Sequence, residues 1–294
     1  MNPLHRILTI PCLVLMTQFS YALSLADVDH QIHITIAQIS SLKAHKAADK
    51  EVRSPGIQVG KTTLHAYIKG LELLEKIQKY QLQNDLTAIT LPKLPVKRVR
   101  SANMLAIVQL AQAELSAINQ SLSLQTANVV PNDFSKTASD LYENIWQASY
   151  MMDTLIEPIK PADVLRKVQM AEIALVDIAK KRNQQIALPA LQGFNDKQSV
   201  DVTISLHKLL YKLAKLELKL KIKPLVVPAF PAGKIKPEDS FAAAGNVIAD
   251  LTRIALKLKI APVTRITKNR ADVTSNTVYA HLYRLNQSAN LLLK

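Results

Sequence analysis

Apolar residues recur at spacings of three and four along almost the whole chain from Leu23 onward. This spacing places them on one face of an α-helix. Eight such segments begin near residues 25, 61, 99, 136, 161, 199, 237 and 273, and each runs for about 20 to 24 residues. No alternating β-strand pattern competes with them, so the pattern predicts an all-α fold. The clearest segments contain Leu206, Leu209, Leu213, Leu216 and Leu220, and Ala244, Val247, Leu251, Ile254 and Leu258.

Local start signals agree with the apolar spacing. Pro161 and Pro237 fall at expected first-turn positions, where proline is tolerated because the first backbone N–H groups of a helix have no partner within it. Asp163 and Asp239 follow just inside, near the positive end of the helix dipole. Helices of this length are typical of up-and-down four-helix bundles.

The predicted helix starts repeat along the chain. Those in the second half follow those in the first by about 136, 138, 138 and 137 residues. A constant offset through four elements indicates a tandem duplication. Two connector prolines also recur 136 residues later, Pro92 as Pro228 and Pro95 as Pro231.

The duplication divides the mature chain into two halves. We predict a first four-helix bundle over residues 23–158 and a second over residues 159–294, joined by a short linker that contains Pro158. A continuous α-solenoid of stacked helix pairs is the alternative architecture.

The first 22 residues read as a secretory signal peptide. One cation, Arg6, precedes an apolar run over residues 7–16, and a small-x-small sequence ends at Ala22. The run is shorter than the roughly 20 residues that span a bilayer, although an N-terminal membrane anchor is the alternative. No later segment is apolar enough to cross a membrane. We therefore expect cleavage near Ala22 and a periplasmic or secreted product.

The only cysteine, Cys12, lies inside this signal. The mature chain accordingly has no thiol. This excludes a disulfide scaffold, a cysteine nucleophile and a cysteine-ligated metal centre.

Charge is concentrated in the second half. Residues 23–159 hold 13 Lys+Arg and 13 Asp+Glu, whereas residues 160–294 hold 23 Lys+Arg and 10 Asp+Glu. Duplicated halves with such different charge are expected to meet different partners.

A row of lysines on the sixth predicted helix focuses this charge. At 100° per residue its members fall within an arc of about 80°, beside the leucine seam. Such a row attracts an acidic polymer, an anionic lipid surface or an acidic protein, while a solvated face is the structural alternative. Sequence-specific nucleic-acid binding is not expected, because no interleaved aromatic stacking pattern accompanies the lysines. The lysine row consists of Lys208, Lys212, Lys215, Lys219 and Lys223.

Aromatic residues step by four along the last helix of each half. Tyr142, Trp146 and Tyr150 do so on the fourth helix, and Tyr279 and Tyr283 do so on the eighth. Packing in the core or between bundles is the ordinary explanation. The alternative is a small-molecule pocket between helices.

The connectors are apolar and contain proline, as in residues 225–232, which carry no charge. Proline stiffens such segments and biases them towards extended backbone. They are expected to fold back and cap the bundle ends, or else to present an apolar ridge to a protein partner.

Motifs of catalysis or metal binding are absent from the sequence. His30 and His33 share a helix face, but a zinc or copper site needs further ligands, and we expect surface histidines instead. We predict no cofactor, no metal and no enzymatic activity. The sequence favours an exported, non-catalytic interaction protein whose basic second half binds an anionic partner. The alternative is a small-molecule-binding module of the sensory type, an architecture also used in the ligand-sensing domains of bacterial receptors.

Overall fold

The computed structural model describes residues 23–48, 51–130, 134–184, 186–263, 266 and 272–294. The predicted signal peptide, residues 1–22, lies outside them. Within the described residues the regular structure is helical throughout, which confirms the all-α fold class. The helices are α1 (Leu25–His45), α2 (Thr63–Gln83), α3 (Ser101–Ser121), α4 (Ala138–Asp153), α5 (Pro161–Lys181), α6 (Ser199–Lys219), α7 (Pro237–Lys257) and α8 (Ser275–Leu292).

The eight helices form two four-helix units. In the first unit α1 and α2 each contact both α3 and α4, and in the second α5 and α6 each contact both α7 and α8. The first and second helices of each unit therefore occupy opposite corners, as do the third and fourth. This arrangement is consistent with the predicted pair of four-helix units.

The direction of the helices in the first unit differs from the expected up-and-down path. Near the starts of α2 and α4, the Lys61 backbone N–H donates to Ser139 Oγ at 3.0 Å. Near their ends, Lys76 Nζ donates to Asp153 Oδ2 at 2.8 Å. These two helices are therefore parallel. Hydrogen bonds between corresponding ends show the same direction for α2 with α3, α1 with α3, and α1 with α4: they join Thr63 to Val99, Asn119 to Gln38, and Asn144 to Asp29.

The second unit follows the same path. The Thr203 and Ser240 hydroxyls lie 2.8 Å apart near the starts of α6 and α7, and Glu217 and Arg253 pair near their ends. Long connectors make parallel helices possible. A connector such as residues 220–236 can extend over more than about 50 Å, whereas a helix of 21 residues is roughly 31 Å long. Each connector can thus return the chain to the starting end.

The two units pack together through α2 and α7. Every residue of α7 from Asp239 to Thr252 is buried, although half of a surface helix is normally exposed. Buried apolar residues of both units form one cluster. α7 is therefore a shared central helix of the molecule.

The helix starts keep the predicted offset. Those of α5, α6 and α7 follow those of α1, α2 and α3 by 136 residues, and that of α8 follows that of α4 by 137. The left-handed residues that close α2 and α6, Asp85 and Lys221, are also 136 apart. The duplication and the domain boundaries at residues 158 and 159 stay predictions, with which this spacing agrees.

The apolar connectors are partly buried and partly exposed. In the connector between α6 and α7, Val227 packs against the core, whereas Val226 and Phe230 are largely exposed. Phe230 lies over the ring of His207, with centroids 5.1 Å apart. These connectors thus cover part of the bundle and leave some apolar side chains accessible.

None of the helices in the described part of the chain is long and apolar enough to cross a membrane.

Close packing of α2 against α3 gives a first testable prediction. A Cβ atom added at Gly70 would lie 2.4 Å from Ile107 Cγ2. We expect Gly70→Ala to lower the free energy of unfolding by about 1–3 kcal/mol, because overpacking forces side chains or backbone to shift. Urea unfolding measures the loss. Gly193→Ala is the control, since nothing lies within 4 Å of its added Cβ; equal losses in the two variants would contradict the prediction.

Candidate functional site

Four lysines of the row lie along α6 beside α8. The prediction that Lys223 also lies on this helix is wrong, because α6 ends at Lys219 and the backbone turns left-handed at Lys221. Lys208, Lys215, Lys219 and Lys223 are exposed, and Lys212 is half-buried. Lys212 Nζ donates to the Asn286 carbonyl oxygen at 2.9 Å. The row is therefore largely accessible to solvent.

The lysines of the row lack direct ion-pair partners in the described part of the chain. None of its five lysines forms an ion pair with a carboxylate among the described residues. Glu217, the one acidic residue within the row, is buried and turned towards Arg253, whose Nη1 lies 2.8 Å from its Oε1. Burial and the nearby charge of Lys208 lower the pKa of Lys212. The row therefore presents uncompensated positive charge to solvent.

Parallel helices gather further lysines at one end of the second unit. Because α5 to α8 run in the same direction, their carboxyl ends lie together, and the negative ends of their dipoles favour cations there. The carboxyl ends of the helices in the first unit carry Lys43 and Lys46, but also Asp85 and Glu157. We call the end of the second unit the cationic pole; its exposed lysines are Lys180, Lys181, Lys219, Lys221, Lys223, Lys257, Lys259 and Lys294.

The aromatic stripe of α4 is buried at the contact between units. Tyr142 and Trp146 pack edge to face with centroids 5.4 Å apart, and Tyr150 follows. The Tyr142 hydroxyl donates to Asn246 Oδ1 of α7 at 2.9 Å. Tyr150 also borders a cavity of about 640 Å³ with Arg53 at the junction of the two units. Two tyrosines of this stripe thus reach α7 through hydrogen bonds of their hydroxyl groups.

The tyrosines of α8 lie in a different place. Tyr279 and Tyr283 are half-buried and border an open groove of about 520 Å³ between α6 and α8. Lys208 and Lys212 border the same groove. The structure thus brings these two tyrosines to the lysine row, but it does not join them to the stripe of α4.

A buried group of charged side chains lies between the two units. Glu72 is 1% exposed and accepts hydrogen bonds from Lys69 Nζ at 2.9 Å and from Lys167 Nζ at 3.2 Å. Lys76 Nζ lies 3.9 Å from the same carboxylate and pairs with Asp153. We call this group the interface cluster; its members are Lys61, His65, Lys69, Glu72, Lys76, Asp153, Lys167 and Asp250.

Burial shifts the pKa values in this cluster. Loss of solvation lowers the pKa of Lys61 and of Lys69 to about 8. Burial also raises the pKa of Asp153 to about 6, against the pull of Lys76. Burial alone would raise the pKa of Glu72, but the surrounding lysines outweigh it and hold that pKa well below its usual range. Glu72 is therefore ionised and holds the lysines around it.

Sequence reasoning missed the interface cluster. A polar stripe was visible in the sequence, because its members step by four, four, three and four from just before α2 into that helix: Lys61, His65, Lys69, Glu72 and Lys76. Such a stripe normally faces water. Here α7 and α5 cover it, and only the docking of the second unit reveals this.

His30 and His33, the two histidines expected at the surface, are half-buried, and His33 Nε2 lies 3.4 Å from Asp29 Oδ2. Three other histidines lie in the interior. His65, His207 and His281 are buried, and His65 Nε2 lies 3.0 Å from Asp250 Oδ1. His281 Nδ1 lies 3.0 Å from Glu172 Oε1, beside Arg284. Across the described parts of the chain, no three His, Cys, Asp or Glu side chains are grouped so that they could hold a metal ion.

No protein-family model matches the chain. No curated protein and no solved structure matches it either. The function of the chain must therefore be inferred from its lysines and their surroundings.

Proposed function

We propose that the chain is an exported, non-catalytic binding protein whose second unit binds an anionic partner electrostatically. The observation that carries this proposal is the accessible lysine row, which has no carboxylate partner in the part of the chain that the structure describes and which the cationic pole continues. A surface of one charge sign raises the local concentration of the opposite charge and accelerates association. Lysine contacts an anion as a point charge, so the binding is tolerant of the partner's detailed geometry.

The energy of this binding comes from several weak contacts. Each lysine close to an anionic surface contributes about 1 kcal/mol, and the contribution falls off within a Debye length of roughly 8–10 Å. Three or more lysines acting together therefore give a strong but salt-dependent attachment.

Titration with poly-L-glutamate tests the proposal. We expect the replacement of Lys208, Lys215 and Lys223 by Gln to weaken binding at low salt by about 10- to 100-fold. These three side chains are exposed, so the fold should be unaffected. We also expect the affinity of the unaltered protein to fall steeply with added NaCl.

The matched control removes three positive charges from the first unit. Lys93, Lys97 and Arg98 are exposed there, and their replacement by Gln changes the net charge by the same amount. We expect less than about a threefold change in affinity. Equal losses in the two triple variants, or no binding at all, would contradict a site on the second unit.

A small-molecule site in the groove between α6 and α8 is the second candidate function. The observation that favours it is the pairing of Tyr279 and Tyr283 with two lysines around one groove. A ligand bound there raises the melting temperature by mass action. The test compares the unaltered protein with Tyr283→Ala. This second function would be favoured if a small aromatic acid raises the melting temperature of the unaltered protein but not of the variant, while both bind poly-L-glutamate equally.

A further inference from the structure

The outward face of α6 carries apolar side chains as well as lysines. Val200, Ile204, Tyr211 and Leu218 are 36%, 40%, 61% and 59% exposed. At 100° per residue these four fall within an arc of about 40°. Single exposed apolar residues are normal on a protein surface, but these four share one narrow strip of one helix, with Lys208 and Lys215 spaced between them. We call it the apolar stripe of α6.

The lysines lie directly beside this stripe. Lys215 and Lys208 are centred about 20° and 40° from Ile204, so apolar and cationic side chains share the same exposed face. Asp201, the acidic residue at the beginning of this face, lies 3.9 Å from Lys197. The face is therefore both apolar and positively charged.

The position of α6 leaves this face open. Its neighbours are α7 and α8, while α5 occupies the opposite corner of the unit. The α7 side of the second unit meets α2, so the first unit is held away from the outer face of α6. The face extends along a helix of 21 residues, or roughly 31 Å.

We propose that this face binds the surface of a bilayer containing anionic lipids, with α6 lying in the plane of the headgroups. The inference rests on the proposed function and names its partner. Lysines alone would suit any polyanion. Apolar side chains, in contrast, gain free energy only where they leave water, and the boundary of headgroups and acyl chains accepts them while the adjacent lysines reach the phosphates. A hydrated acidic polymer offers no such boundary.

Vesicle binding by the full mature chain tests this inference. The probes are phosphatidylcholine vesicles with about 30% phosphatidylglycerol, pure phosphatidylcholine vesicles, and poly-L-glutamate. We expect binding to the anionic vesicles and little binding to the neutral ones. Replacing Ile204 and Leu218 by Gln should weaken vesicle binding by about tenfold or more, because two side chains lose their apolar contact. The same double variant should bind poly-L-glutamate within about twofold of the unaltered protein.

The control variant replaces two exposed apolar residues away from α6. Ile57 and Leu82 are 87% and 62% exposed, and their replacement by Gln should leave vesicle binding unchanged. Poly-L-glutamate binding without vesicle binding would overturn the bilayer inference and leave the proposed function standing. Binding of neither probe would overturn both. Vesicle binding that is unaffected by the α6 double variant, or equal on neutral vesicles, would also overturn the bilayer inference.

Discussion

Glu72→Gln is expected to lower the free energy of unfolding by about 3–5 kcal/mol, because it removes a buried carboxylate to which two buried lysines donate hydrogen bonds. Lys69 and Lys167 donate to this carboxylate, and Lys76 lies 3.9 Å away. Glutamine keeps the shape of the side chain but not its charge. The ammonium groups then remain buried beside a neutral amide, and some must lose their protons or reach water. Urea unfolding at pH 7 measures the change.

Glu157→Gln is the matched control for this loss. Glu157 pairs with Lys160 at 3.1 Å, but their side chains are 60% and 68% exposed. Pairs exposed to water contribute only about 0–1 kcal/mol, so its replacement should cost little. Similar losses in both variants would show that burial does not set the cost, and the interface cluster would then lose its structural role.

Neighbouring small residues make room for this carboxylate. A Cβ atom added at Gly245 of α7 would lie 3.0 Å from Glu72 Oε2. The close approach of α7 therefore depends on a glycine opposite the carboxylate, and the charge network and the helix contact form one structure. Buried ionic groups are known to fix the register of packed helices in some proteins. In this chain they lie where α2 and α7 meet.

Sequence periodicity located the helices well because it reports local geometry. The observed starts lie within about two residues of the predicted ones, and Pro161 and Pro237 begin α5 and α7 as expected. Helix direction was not predictable in the same way. The apolar pattern of a helix is the same whichever way its neighbour runs, and only the long connectors, such as residues 84–100, hinted at parallel packing.

Exposure of the charged stripes shows where sequence reasoning stops. The lysine row and the polar stripe of α2 have nearly the same spacing along the sequence, yet Lys215 is exposed and Lys69 is only 2% exposed. The difference comes from the docking of the second unit on α2, which no local pattern records. The α4 aromatics illustrate the same point, because Tyr142 and Tyr150 end on polar groups of α7. Their pairing with a distant helix could not be derived from spacing.

Lys61→Met is expected to raise the free energy of unfolding at pH 7 by about 1–3 kcal/mol. Lys61 is 8% exposed, and its Nζ donates to Asn246 Oδ1 at 3.3 Å. Among the residues that the structure describes, no carboxylate lies at ion-pair distance from it. Methionine fills a similar volume without a charge to desolvate. Asn246 keeps the Tyr142 hydroxyl as a donor, so the substitution leaves this acceptor satisfied. Lys93→Met at an exposed site should change stability by less than about 0.5 kcal/mol.

The pH dependence of this gain separates desolvation from simple packing. Burial lowers the pKa of Lys61 from 10.5 to about 8, so between these values the unfolded chain binds a proton that the folded chain has released. The stability of the unaltered protein should therefore rise as the pH increases from about 8 to 10.5. Lys61→Met removes this contribution, so its advantage should be widest below pH 8 and shrink towards pH 10.5. Unfolding curves at pH 7 and pH 10 measure the difference in free energy of unfolding between Lys61→Met and the unaltered protein. The same difference at both pH values would mean that methionine only packs better and that no buried charge was removed.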